Sequence, residues 1–476
     1  MKNILLSLFI FSALTAGASL KLPSLIDNNM VLQRETEVNL WGGSEPSEKV
    51  SATCSWDNRT YSATCDGQGR WLMKVRTPKA GGPYTITFSA SRGGDRKVIK
   101  DVYIGEVWIC SGQSNMVHPV RGYANQPVDG SAEAIAGAKN YPGIHLFKIP
   151  VTSAQTPQEY CDGSWSTSLD ENAVANIAAT AWFFAVELYK NLKIPVGIIQ
   201  ASWGSARIEA FMSPEAVTEA GGVDIEKLKQ EDKEQKRPFV IYNGMIYPLH
   251  NYTAKGFIWD QLGANRFDYR NYPAVLTSMI RLWRTMWNND RMPFFSVQRA
   301  MVGIDGGPQK ITMPLASEKQ FEVRSTIPAY WVATATDLGD VKIPHYAQKP
   351  VTGYRLAMLA LEHVYNVKGL HADAPDFKSV TFAGGKATAT FTNAADGLIC
   401  KGEKVLAFEL AGNDRKFYPA EAHIVKGSNV VEVSSPEVPV PVALRYAFRN
   451  YCLVSLYNRY GQPPRPYRTD RWDDVF

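Results

Sequence analysis

Two kinds of hydrophobic spacing divide this chain. Up to about residue 100, apolar residues come in short alternating runs bounded by turn residues. Val38-Asn-Leu-Trp41 precedes Gly42-Gly43, Lys49-Val-Ser-Ala-Thr-Cys54 precedes Asp57-Asn58, and Tyr84-Thr-Ile-Thr-Phe88 follows Gly81-Gly82-Pro83. A period of two between turns predicts half-buried strands of a small sandwich. From about 101 to 369 the texture changes. Continuous apolar runs at 102–109, 196–200, 257–259, 294–297 and 331–336 alternate with helical patterns at 173–190, 272–287 and 350–365. That alternation predicts an α/β fold: a parallel sheet with helices on both faces, in three layers. From about 370 short strands return at 379–382, 387–391, 405–410, 430–433 and 442–446.

The division expected is therefore a β-rich unit over 19–100, an α/β unit over 101–369 and a second β-rich unit over 370–476. The stretch 119–165, rich in Pro, Gly and Asn, reads as an irregular insertion bordering a cleft. In parallel sheets of this kind, function collects beyond the carboxyl ends of the strands.

Composition narrows the partners. The chain has 476 residues, 45% hydrophobic and 20% charged, with a formal net charge of +5 and no Lys/Arg block. This is the balance of a soluble globular protein, and no nucleic-acid partner is expected. Met1-Lys2-Asn3, the apolar run 4–13 and Ala16-Gly17-Ala18 form a secretory signal cut after Ala18. The run is too short to span a bilayer, so a secreted or periplasmic protein with no membrane partner is expected. The six cysteines are irregularly spaced and contain no CxxC. No metal and no cofactor is expected from them. Cys54 and Cys65 flank a turn but would not lie directly opposite one another in a two-residue hairpin.

The chemistry starts at Ser114, in a Gly-containing turn after the first long apolar run. A serine hydroxyl becomes a nucleophile when its backbone is pinned, its oxygen faces a cleft and backbone N–H groups face the developing oxyanion. The competing role is a serine capping a helix start. A base must come from seven histidines. His363 falls inside a helical pattern, His371 and His423 at or within the C-terminal β unit, and His118 on the turn that carries the serine. His145 and His250 have no comparable strand-end placement. His345 follows the run 331–336 and precedes the helix at 350, so it is the candidate base. Oxyanion donors are sought at two further strand ends: Gly204 after 196–200, and the side chain of Asn265 after 257–259.

These residues lie in blocks that resemble the sialate O-acetylesterases of the SGNH hydrolase superfamily, over nearly all of the chain beyond the signal. Leu22-Pro-Ser-Leu-Ile26, Asn29-Met-Val-Leu-Gln33 and Lys79-Ala-Gly-Gly-Pro-Tyr84 resemble its opening. Gly105-Glu-Val-Trp-Ile-Cys-Ser-Gly-Gln-Ser-Asn-Met116 is similar to its nucleophile block, and Pro195-Val-Gly-Ile-Ile with Ala201-Ser-Trp-Gly204 to its second. The resemblance implies Ser114 as nucleophile toward an acetyl ester, His345 as general base and then acid, and an oxyanion hole of the Ser114 and Gly204 N–H groups with Asn265. The substrate implied is an acetylated carbohydrate, sialic acid or another glycan. Gln113, Gln261, Arg207 and Arg266 are candidate substrate contacts, the arginines for the carboxylate of an acidic sugar.

Two blocks depart from the family pattern. Its third block reads Trp-Tyr-Gln-Gly-Glu-Ser-Asn-Ala where this chain has Trp259-Asp-Gln-Leu-Gly-Ala-Asn-Arg266. Its histidine block reads Asp-Ile-His-Pro where this chain has Ile343-Pro-His345-Tyr346. Either Asp340 is recruited to complete a triad, or a Ser-His dyad operates with a backbone carbonyl behind the imidazole. The eroded blocks also admit a glycan-binding relative without turnover, and an esterase of non-sugar substrates is a third reading.

Overall fold

The computed structural model describes residues 20–92, 94–304 and 306–474. The expected export signal, 1–18, lies outside them. The fold is α/β, with parallel central strands and separate antiparallel sheets. The central strands are β1 (Arg96–Gly112), β2 (Ile144–Lys148), β3 (Val196–Ser202), β4 (Gly256–Asp260), β5 (Phe294–Val297) and β6 (Tyr330–Ala333). Their order is β6-β5-β4-β1-β3-β2, every pair parallel, with Trp165–Thr167 as an antiparallel edge. The chain leaves β1 toward one edge, returns to β3, then crosses to β4 on the other side. That reversal of direction opens a crevice at the carboxyl ends of β1, β3 and β4.

β1 joins two parts of the molecule. Its first half pairs antiparallel with Gly81–Ala90, and from Glu106 it runs parallel to β3. The sequence shows why. Its start keeps exposed charges such as Lys97, Lys100 and Asp101, whereas Ile104 to Gly112 is buried on both sides. Within that run, Val107 and Ile109 pack on one face with Val275, Met279 and Trp283 of helix α3 (Tyr272–Met286). Trp108 and Cys110 pack on the other, with Trp182 of α2 (Ala179–Leu192) and Leu356 of α4 (Lys349–His363).

Three elements differ from the sequence pattern. The stretch 119–165 contains β2, whose apolar Ile144-His-Leu-Phe147 is hidden between Pro142-Gly143 and Pro150. The helix expected at 173–190 is two, Glu171–Asn176 and α2. It breaks at Ala178, whose N–H donates to Gln200 Oε1 at 2.8 Å. Finally, Thr312–Glu322 is a helix that Pro314 and a weak apolar stripe conceal. Two four-stranded antiparallel sheets form the C-terminal region around Ala389, Phe391, Leu410 and Tyr446. Among the described residues no helix is long and apolar enough to cross a membrane, and the six cysteines are unpaired.

Candidate active site

The serine turn follows from one glycine. At Gly112 φ is +136°, and a Cβ there would lie 2.3 Å from the carbonyl oxygen of Asp260, so only glycine fits. The next residue, Gln113, donates its N–H to that same carbonyl at 2.9 Å. The chain then enters the single helical turn α1 (Ser114–Val117). A four-residue helix cannot sustain itself, and tertiary bonds hold this one. Met116 O accepts from Gln200 Nε2 at 3.2 Å and from Ser202 Oγ at 3.1 Å, both on β3. Ser114 is the first residue of the turn, not its cap, and among the described residues its hydroxyl makes no hydrogen bond. The capping role is thereby excluded.

Gly204 lies beside the serine: a Cβ on it would stand 3.8 Å from Ser114 Cβ. Among the described residues no backbone acceptor takes the N–H of Ser114 or of Gly204. Two such donors next to a hydroxyl are what an oxyanion requires.

Asn265 is placed differently from the expectation. Its Nδ2 donates to both carboxylate oxygens of Glu209 at 3.0 Å. Its Oδ1 accepts from Ile208 N at 3.0 Å and from Gln261 Nε2 at 2.7 Å. The amide is thus spent on bracing the loop after β3 against the loop after β4. Gln261 is spent likewise, its Oε1 accepting from Tyr272 OH at 2.9 Å. Gln113 is buried and accepts from Ala264 N at 3.0 Å. Arg207 pairs with Glu209 at 2.9 Å and Asp268 at 2.8 Å. Arg266 donates to Gly263 O at 2.6 Å and lies over the Phe267 ring. These four expected substrate contacts therefore serve as braces within and between loops. The third block has a local reason for its altered sequence. A Cβ on Gly263 would meet Gln113 Nε2 at 2.6 Å, so the family's glutamate would require the Gln113 amide to move.

His345 leads into α4. Its Nδ1 lies 2.6 Å from Gln126 Oε1. An amide oxygen only accepts, so Nδ1 carries the proton and the lone pair sits on Nε2, the tautomer a base needs. The group behind the imidazole is therefore neither a carboxylate nor a backbone carbonyl. Asp340 is occupied elsewhere, its Oδ1 accepting from Lys342 N at 2.7 Å and Ile343 N at 2.9 Å, which shapes the turn before the histidine. Gln126 also serves His118, whose Nε2 is 2.9 Å from the Gln126 carbonyl oxygen. The His118 and His345 rings lie 5.6 Å apart, with Tyr123 5.7 Å from His345. Burial holds His345 down to about 4, helped by His118, Lys349 and Arg299, and burial with Lys349 does the same to His118. Both rings are neutral at neutral pH. Among the described residues no hydrogen bond joins Ser114 Oγ to either ring. In unliganded hydrolases that bond commonly tightens only with substrate.

Gln126 and Lys349 escape the sequence reading, and His118 is passed over in favour of His345. Gln126 is hidden in a Pro/Gly/Asn-rich stretch, where only a turn signal at Asn125 (φ +60°) marks it. Lys349 does carry a signal. A lysine directly before Pro350, at a helix start, opposes the helix dipole.

No family model matches the chain. Sialate O-acetylesterases of Pongo abelii and Homo sapiens are 26% and 25% identical to it over 507 residues, covering 98% of this chain and 95% of each of theirs. The crystal structure of a carbohydrate acetylesterase from Xanthomonas citri is similar with a TM-score of 0.86 and 30% identity, over 95% of this chain and 100% of that one.

Proposed function

The chain belongs to the sialate O-acetylesterase family of carbohydrate esterases, and on that premise we propose that it removes acetyl esters from a sugar through a serine acyl-enzyme. The observation that carries the reading is the unbonded Ser114 hydroxyl at the start of a pinned turn, with Gly204 alongside. In the first step Nε2 of His345 takes the Ser114 proton as Oγ adds to the acetyl carbonyl. The N–H groups of Ser114 and Gly204 hold the oxyanion. The imidazolium then protonates the sugar oxygen as its bond to the acetyl carbon breaks, so the sugar leaves as a hydroxyl and acetyl stays on Oγ. Water, deprotonated by the same nitrogen, adds to the acetyl carbonyl; acetate leaves as the imidazolium returns its proton to Ser114 Oγ.

The sugar is set by the loops around this turn. Arg207 is already neutralised by Glu209 and Asp268, so discrimination between acidic and neutral sugars does not rest on it. Arg207→Ala should lower rates on both classes alike, because it loosens Glu209 and with it Asn265. The action takes place outside the cytoplasm, with 1–18 as export signal; an exported protein beginning at Ser19 is the matching result and one retaining Met1 the opposing one.

Acetate release from acetylated sialic acid and acetylated neutral glycans tests the activity. Ser114→Ala is expected to fall by several orders of magnitude and His345→Ala by a similar factor. Release unchanged in Ser114→Ala removes the serine mechanism. Glycan binding without release, in the wild type, selects the non-hydrolytic reading.

A further inference from the structure

Four residues beyond His345, Lys349 is fully buried. It opens α4, where the helix dipole disfavours a cation. A buried ammonium is tolerated only with partners, and each partner here belongs to a different part of the site. Its Nζ donates to Asn115 Oδ1 at 2.6 Å, and Asn115 is the residue after Ser114. The same nitrogen stands 3.7 Å from the centre of the Tyr346 ring, in the histidine loop. The negative charge acting on it is Asp260 at the end of β4, which is buried, lies beyond ion-pair contact with Nζ, and has Oδ2 unpartnered among the described residues. Burial pulls Lys349 well below the usual lysine range, Asp260 opposes that, and Arg299 adds to it. Burial likewise raises Asp260, against the pull of Lys349 and Arg299.

We propose that Lys349 is a positioning residue for catalysis: its ammonium, balanced by the Asp260 carboxylate, ties the serine turn at Asn115 to the histidine loop at Tyr346. This rests on the acyl-enzyme reading above. α1 has one turn and no side-chain cap, so the Asn115 amide is a handle on its open end. A tilt of that turn moves Ser114 Oγ and the Ser114 N–H together. Misplacement of reacting groups by about 1 Å costs on the order of a hundredfold in rate. The groups facing His345 are His118, Tyr123, Lys349 and Arg299, with Gln126 as hydrogen-bond partner. Removing the ammonium therefore also lifts the imidazole.

The test compares wild type, Lys349→Met and Lys349→Met/Asp260→Asn. The single variant leaves a buried carboxylate short of its counter-charge and is expected to lose thermal stability; the double variant removes both charges and is expected to recover it. Two readouts are taken: phosphonylation of Ser114 by an alkyl fluorophosphonate, followed by mass spectrometry, and kcat/KM for acetate release against pH. Expected is labelling slower by about tenfold to a hundredfold in both variants, with the acid limb of kcat/KM moved up from its wild-type position. Stability returns in the double variant and reactivity does not. Wild-type labelling with an unmoved acid limb in the double variant overturns the clamp and leaves the esterase reading standing. Wild-type Ser114 that labels, with variants that do not, supports the clamp even if no tested sugar releases acetate. If wild-type Ser114 neither labels nor supports acetate release, the esterase reading and the clamp fall together.

Discussion

The imidazole of His345 leans on an amide, and this changes what pH does to it. A carboxylate behind Nδ1 would raise the ring; Gln126 Oε1 at 2.6 Å fixes the tautomer without adding charge. With burial, His118, Lys349 and Arg299 all acting downward, the ring stays neutral to about 4. Base catalysis needs the neutral ring, so kcat/KM should rise with pH through about 4 and be flat by the ordinary imidazole value of 6.5. Gln126→Glu supplies the missing negative charge and should carry that limb upward, toward or past 6.5. Gln126→Leu removes a bond to a ring that is charged in the transition state. At about 1.5–3 kcal/mol for such a bond, the loss is roughly one to two orders of magnitude. A pH–rate profile for the three proteins checks both, and a limb that does not move in Gln126→Glu would mean that Gln126 is not the partner in solution. At this scale the sequence was partly legible. Ser114 and Gly204 are sought at strand ends, and the parallel pairing of β1 with β3 sets those two ends side by side. Gln126 does not follow, since its contact with His345 joins residues 219 positions apart through an irregular loop.

The loops after β3 and β4 behave as one brace. Asn265 and Arg207 both bond Glu209, so the segment 207–209 and the segment 261–265 hold each other. Resemblance pointed to Asn265 as an oxyanion donor; in this structure a neighbouring buried carboxylate takes its amide, and which neighbour a buried amide meets is not written in its own block. The altered third block has an energetic consequence as well. Leu262 occupies the family's glycine position with φ +139° while being fully buried. Such a backbone costs a non-glycine residue roughly 1–3 kcal/mol, and removing a buried leucine side chain costs about 2–5 kcal/mol. Lost packing outweighs relieved strain, so both Leu262→Ala and Leu262→Gly should destabilise. The glycine variant also sheds the strain and should be the more stable of the two by about 1 kcal/mol. Urea unfolding of the pair decides this; an alanine variant at least as stable as the glycine one contradicts the strain.

Across the whole molecule, the parts meet through shared strands and ion pairs. Arg34 and Tyr365 both reach the buried Glu106 on β1, linking the N-terminal strands to the end of α4. Arg468 on the C-terminal tail pairs with Glu318 at 2.8 Å and Asp473 at 2.7 Å, and Arg270 also reaches Asp473, which fastens that tail to the α/β region. Periodicity made the long apolar strands and helices readable, since their burial on both faces dictates composition. It missed β2 and Thr312–Glu322, where prolines and short runs mask the pattern. All this scaffolding converges on a serine turn held from three sides, and the claim that Ser114 is the nucleophile can be tested directly. Rapid acid quenching during turnover of an acetylated sugar, followed by peptide mass spectrometry, should find an acetyl group on the peptide carrying Ser114, absent in Ser114→Ala. Steady acetate release with no acetyl on that peptide, and with turnover retained in Ser114→Ala, would contradict the account.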